Sequence, residues 1–119
     1  MSATIVIVED NADLREMLAC FLRMYGYTVK QAEDGLEGLR MIRQQPPDLI
    51  ITDIEMPNMD GMIMIKELRR RPETSRVPVL VLTAYDANMG NKAIEAGATR
   101  AAYKPIQLEI LIRMIEQLL

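Results

Sequence analysis

At 119 residues, half of them apolar and 26% charged, the chain has the size and balance of one ordinary globular domain with a real core. Its net charge of −3 offers no electrostatic footprint for nucleic acid or an anionic membrane, and no apolar run approaches the ~20 residues of a membrane span. Histidine is absent, which removes the commonest general base and transition-metal ligand, and the single cysteine, Cys20, cannot form an internal disulfide.

The chain opens with a continuous apolar run over residues 4–8, as expected for a strand buried on both faces. It ends on two adjacent carboxylates, Glu9 and Asp10. Leu14, Met17, Leu18, Phe21 and Leu22 then mark one face of a helix, and Tyr27–Lys30 reads as a weaker strand. Asp34, with Glu37 three residues later, forms a capping box that opens a second helix carrying Leu36, Leu39 and Ile42. A second strong strand, residues 49–52, runs into Asp53. After Pro57 and Gly61 comes a third helix with Ile65 and Leu68. The third strong strand, 78–82, leads to Thr83. Residues 86–96 form a fourth helix, with Asp86 as its N-cap and Gly97 as its stop. Its apolar stripe is thin (Met89, Ala93, Ala96), which suits a movable element. Thr99–Ala102 is a weak strand before Lys104 and Pro105, and 106–118 is a fifth helix. Strands alternating with helices predict an α/β fold, a parallel sheet with helices on both faces, as one domain over residues 1–119.

In such a sheet, ligands bind beyond the carboxyl ends of the strands. Glu9, Asp10, Asp53, Thr83 and Lys104 all lie at strand ends, so neighbouring strands would gather three carboxylates, a hydroxyl and an ammonium. Singly, each has an ordinary reading as a cap, a turn residue or a solvated charge. Together they repel: two carboxylates ~4 Å apart cost up to about 4 kcal/mol at an effective dielectric of 20. A cation resolves that repulsion. With oxygen donors and neither His nor Cys near, it should be hard, and magnesium fits because it shares its shell with water and phosphate.

The motifs Val8-Glu9-Asp10, Asp53-Ile54-Glu55-Met56-Pro57-Asn58-Met59-Asp60-Gly61, Thr83-Ala84 and Lys104-Pro105 stand in order across almost the whole chain. In this they resemble the receiver domains of two-component response regulators. The resemblance implies a flavodoxin-like, doubly wound sheet of order 2-1-3-4-5. It implies Asp53 as the phosphoacceptor, a carboxylate nucleophile that forms an acyl phosphate. It implies Mg2+, which Mn2+ could replace, held by Asp10, Asp53, the Glu55 backbone carbonyl and Glu9, the last acting at a distance through water. Lys104 and Thr83 would bind phosphate oxygens. Tyr103, directly before the lysine, would enter space that Thr83 opens, shifting the surface of fourth helix, fifth strand and fifth helix. The Lys104–Pro105 peptide is expected to be cis, with Pro105 at the first position of the fifth helix. Glu where many relatives carry Asp at position 9 is a mild departure.

The resemblance also implies partners. The phosphodonor, a histidine kinase, phosphotransfer protein or small acyl phosphate, must be external, because the chain has no histidine. A downstream effector or a second copy would read the shifted surface, with no direct nucleic-acid or membrane contact. The N-terminus has no signal pattern, so a cytoplasmic location is expected. The chain is expected to be free-standing or part of a larger regulator or hybrid kinase, and not an enzyme acting on an external substrate. A magnesium-dependent phosphatase and a constitutive interaction module remain as alternatives. A dinucleotide-binding fold is disfavoured, because Glu9-Asp10-Asn11 stands where a glycine-rich turn belongs. Two expectations are peculiar to this chain. Ile106, Ile110 and Met114 form a second apolar stripe on the last helix, opposite Leu111, Ile112, Ile115, Leu118 and Leu119, as a partner or self-association surface. At the two positions that the resemblance implies flank the approach of water to the phosphoryl group, this chain carries Glu55 and Tyr85, which are expected to tune its lifetime.

Overall fold

The computed structural model describes residues 2–84 and 86–119. Five strands and five helices alternate: β1 (Thr4–Val8), α1 (Ala12–Met24), β2 (Thr28–Ala32), α2 (Gly35–Gln44), β3 (Leu49–Thr52), α3 (Gly61–Arg69), β4 (Val79–Ala84), α4 (Ala87–Ala96), β5 (Arg100–Lys104) and α5 (Leu108–Leu118). The strands pair in parallel in the order β2-β1-β3-β4-β5, so β2 and β5 are the edges. The chain reverses direction across the sheet between β1 and β3, and that reversal leaves a crevice at the strands' carboxyl ends.

Strand alternation divides the core in two. Ile5, Ile7, Leu49, Ile51, Leu80 and Leu82 face α1 and α5, while Val6, Val8, Ile50, Val79 and Val81 face α2, α3 and α4. That is why the three central strands read as continuous apolar runs. Short acidic or amide side chains start four helices. Asn11, Asp34, Asp60 and Asp86 each accept a backbone N–H in the first turn of α1, α2, α3 and α4. Gly97 ends α4 at φ 122°, a left-handed conformation that glycine adopts without penalty.

The weak strands lie one or two residues later than the pattern suggests. Four sequence expectations on the last helix are corrected. Pro105 does not open it: Gln107 is still extended (φ −68°, ψ 136°), and α5 begins at Leu108. Met114 is not on an outer stripe but buried in the core beside Leu111 and Ile115. On a helical wheel it sits about 40° beyond Leu118, and its long flexible side chain bends inward from that border. Ile106 also packs half-buried against this core, which leaves Ile110 as the exposed member of the three, while Leu119, expected inside, is exposed.

Candidate functional site

The sheet brings the acidic strand ends together. The Glu9 N–H donates to the Ala32 carbonyl (3.0 Å) and the Asp53 N–H to the Val8 carbonyl (3.1 Å), so both residues extend their strands by one step, side by side. Asp10 follows at the start of the turn into α1. One carboxylate oxygen from each of Glu9, Asp10 and Asp53 falls within 4.8 Å of the others. Lys104, the last residue of β5, reaches over the end of β4. Its Nζ donates to Glu9 Oε1 at 2.8 Å and to Asp53 Oδ2 at 2.9 Å.

The remaining carboxylate oxygens are also organised. Asp53 Oδ1 accepts the Ile54 N–H at 2.6 Å, and Glu9 Oε2 accepts the Asn11 N–H at 3.1 Å. Arg15, one turn into α1, donates to the Glu9 carbonyl at 2.7 Å. Glu9 is therefore held through both its oxygens and its backbone, and it is almost completely buried, whereas Asp10 is exposed. The extra methylene of glutamate is what lets a residue at the end of β1 bridge toward Lys104.

Burial pushes the Glu9 carboxyl up from its ordinary value, and the bonds from Lys104 and Asn11 only partly offset this. Burial alone would lower the Lys104 ammonium, but its bonds to Glu9 and Asp53 and the charges of both outweigh burial and raise it. Lys104, with the Arg15 guanidinium on the Glu9 carbonyl, only partly offsets three carboxylates in a partly buried crevice. An oxygen-only donor set with that charge fits a hard divalent cation, with Asp10 as the most accessible ligand.

Thr83 is buried in β4, paired in register with Tyr103, and Ala84 pairs with Lys104. The half-buried Tyr103 ring lies over α4: a Cβ on residue 90 would collide with the Tyr103 hydroxyl, so the ring occupies a notch that Gly90 leaves open. The Lys104–Pro105 peptide is cis. Glu55 is exposed in the loop between β3 and α3, and Tyr85 lies outside the described residues.

Two parts of the site's framework escape sequence reasoning. Asn58 donates its side-chain amide to Asp34, joining the β3–α3 loop to α2. Arg69, at the end of α3, donates to the carbonyls of Thr74, Ser75, Val77 and Gly97. Asn58 sits in a Pro-Asn turn, and a partner for its amide could have been sought there; Arg69 stands among other arginines, and nothing in the pattern distinguishes it.

Residues 5–116 match the family model described as the response regulator receiver domain. The chain is similar to the response regulator MprA of Mycobacterium ulcerans (strain Agy99), at 39% identity over 120 residues that are 100% of this chain and 51% of that protein. It thus spans about half the length of that relative. It is 36% identical over 97% of its length to a stretch covering 10% of the sensor protein EvgS of Escherichia coli (strain K12). Among solved structures it is similar to the chemotaxis response regulator CheY4 of Vibrio cholerae, with a TM-score of 0.94, 30% identity and 100% of both chains covered. The chain belongs to the response regulator receiver family, whose work is phosphorylation-dependent two-component signalling.

Proposed function

From that membership we propose that residues 1–119 act as one receiver domain that accepts a phosphoryl group on Asp53 from an external phosphohistidine or a small acyl phosphate. The observation that carries this reading is the convergence of Glu9, Asp10, Asp53 and Lys104 at one edge of the sheet. Asp10, Asp53 and the Glu55 backbone carbonyl would hold Mg2+, or Mn2+ in its place. Glu9, whose two oxygens are already engaged, would act from behind them. When bound, the ion offsets negative charge on the transferring phosphoryl oxygens.

Asp53 supplies the attacking oxygen. Its new P–O bond forms as the donor's P–N bond breaks, and the electron pair leaves with the donor imidazole. Ile54 N–H and Lys104 hold the carboxylate in place for this displacement. Lys104 and the Thr83 hydroxyl then bind the phosphoryl oxygens, and Tyr103 follows Thr83. The phosphoryl group shifts the α4-β5-α5 surface only through contacts that differ between the two states. Glu55 would stand beside the approach of the water that later hydrolyses the acyl phosphate. These groups serve the chain's own phosphorylation and dephosphorylation, not turnover of an external substrate.

The upstream partner is a histidine kinase or phosphotransfer protein. An apolar hollow of about 190 Å3 beside Lys104, lined by Leu14, Met17, Leu18, Leu82, Pro105 and Leu108 among others, suits an apolar side chain of that donor. The downstream partner is an effector or a second copy that reads the α4-β5-α5 surface, where Ile94 and Ile110 are exposed. The reading entails a cytoplasmic setting and no direct contact with nucleic acid or membrane; among the described residues no helix is long and apolar enough to cross one.

Incubation with acetyl phosphate and Mg2+, followed by intact-mass measurement, tests the reading. The wild type should gain one phosphoryl group, and Asp53→Asn should gain none. An unmodified wild type, with small donors and with histidine kinases alike, would overturn it.

A further inference from the structure

The sequence assigns Asp34 a helix cap and assigns Asn58 nothing. In the structure Asp34 divides its oxygens between two tasks. Oδ1 accepts the Glu37 N–H at 2.8 Å, which is the cap. Oδ2 accepts the Asn58 side-chain amide at 2.6 Å, 24 residues away in sequence. Asp34 is 8% exposed and Asn58 is exposed, so the bond lies at the boundary between core and solvent. Being charge-assisted, the bond is among the stronger kind.

Asn58 needs a restraint. It stands at φ 68°, and the Met59 N–H donates across it to the Pro57 carbonyl at 2.7 Å. Asparagine adopts the left-handed region more readily than other non-glycine residues, but so tight a turn persists where its surroundings hold it. Those surroundings are α2. Gly35, the first residue of that helix, lies so close to the Met59 carbonyl that a Cβ would collide with it. The other end of the loop is fixed in the same manner. The Gly61 N–H donates to the Ile54 carbonyl at 2.8 Å, and a Cβ on Gly61 would strike the Asp53 carbonyl. Glu55 lies on the short span between these two anchors.

We infer that the Asp34–Asn58 bond positions the phosphoacceptor loop, and with it the Glu55 carbonyl on which the proposed ion site draws. Asp34 and Asn58 are positioning residues that touch neither ion nor phosphoryl group. The inference rests on the phosphoacceptor reading above. It adds that the loop's geometry is set from α2, on the side of the loop away from Lys104.

Three variants test it. Asp34→Ser keeps an oxygen for the Glu37 N–H but has no second oxygen to reach the Asn58 amide, breaking the bond while sparing the cap. Asn58→Gly tolerates the left-handed backbone and removes the donor. The exchanged pair, Asp34→Asn with Asn58→Asp, restores one donor and one acceptor with roles reversed. Amide hydrogen exchange over residues 54–60 is measured in metal-free protein, and Mg2+ affinity by titration calorimetry. Each single variant should speed exchange in that loop and weaken Mg2+ binding about tenfold, the usual scale for groups that orient a ligand. The exchanged pair should return both readouts to wild-type values. Single variants with unchanged loop exchange and Mg2+ affinity, or losses that the exchanged pair does not recover, would overturn the positioning role while the wild type still accepts phosphate. A wild type that neither binds Mg2+ nor takes a phosphoryl group would instead remove the phosphoacceptor reading, and this inference with it.

Discussion

Asp53 is flanked by two helices of similar length that are held in place differently. On one side α3 drives Met64, Ile65 and Leu68 fully into the core, and glycine contacts and the Asp34–Asn58 bond tie the loop before it. Three such side chains contribute roughly 5–9 kcal/mol of burial. On the other side α4 buries only Gly90 and Ala93, and Ile94 stays exposed. Its C-terminal end is anchored, since Arg69 donates to the Gly97 carbonyl at 3.0 Å and Ala98 is buried. Its N-terminal end rests on the Asp86 cap and on the Tyr103 ring over Gly90. A site that must do chemistry and report it needs both constructions. On the proposed reading, the fixed side would keep Asp53 aligned, and a helix with little buried apolar area would be displaced by the few kcal/mol that a phosphoryl group supplies.

The largest expected effect tests the packing difference. Leu68→Ala should destabilise the protein by about 2–5 kcal/mol, whereas Ile94→Ala should cost under about 0.5 kcal/mol. Urea unfolding of both variants measures this; equal losses would break the comparison. A smaller effect tests whether charge holds the fixed side. Backbone N–H donation from Glu37, then the Asn58 amide, lowers the Asp34 carboxyl below its ordinary value. Its stabilisation is therefore complete above an unfolded pKa of about 4 and is lost as pH falls through the lower folded value. Asp34→Ala should cost about 1–2 kcal/mol at neutral pH through the lost cap, and the gap to wild type should narrow only in acid. A gap independent of pH down to the acid unfolding range would show that the charge contributes nothing. The smallest effect concerns the looser side. Gly90→Ala gains about 1 kcal/mol of helix propensity but pushes Tyr103 from its notch, so net stability should change by less than about 1 kcal/mol. The ring resonances of Tyr103 should shift while those of Tyr27 do not. Unmoved Tyr103 resonances would mean that the ring does not brace α4.

The alternation of periods made the fold legible, because a sheet buried on both faces leaves continuous apolar runs and each run ends on its polar site residue. Caps at Asp34 and Asp86 and the stop at Gly97 were legible too, being local chemistry. What was lost is long-range or marginal. The Asp34–Asn58 and Arg69 bonds join residues by tertiary geometry that no periodicity encodes. Met114 was misplaced because a wheel assigns faces by angle, and a flexible side chain at the border of a wide stripe can turn either way. Glu9 looked like a partner for an ion alone; that it also clamps Lys104 depends on the reach of β5 across β4.

The sheet ends at β2 on one side and β5 on the other, and such rims can template aggregation by strand addition. Both rims carry cations: Lys30 on β2, and Arg100 and Lys104 on β5. A second molecule approaching either rim in extended pairing with its own like rim would set positive charges against positive charges. Lys104, which pairs with Glu9 and Asp53 at the end of β5, thus also lies on the rim where a sixth strand would add.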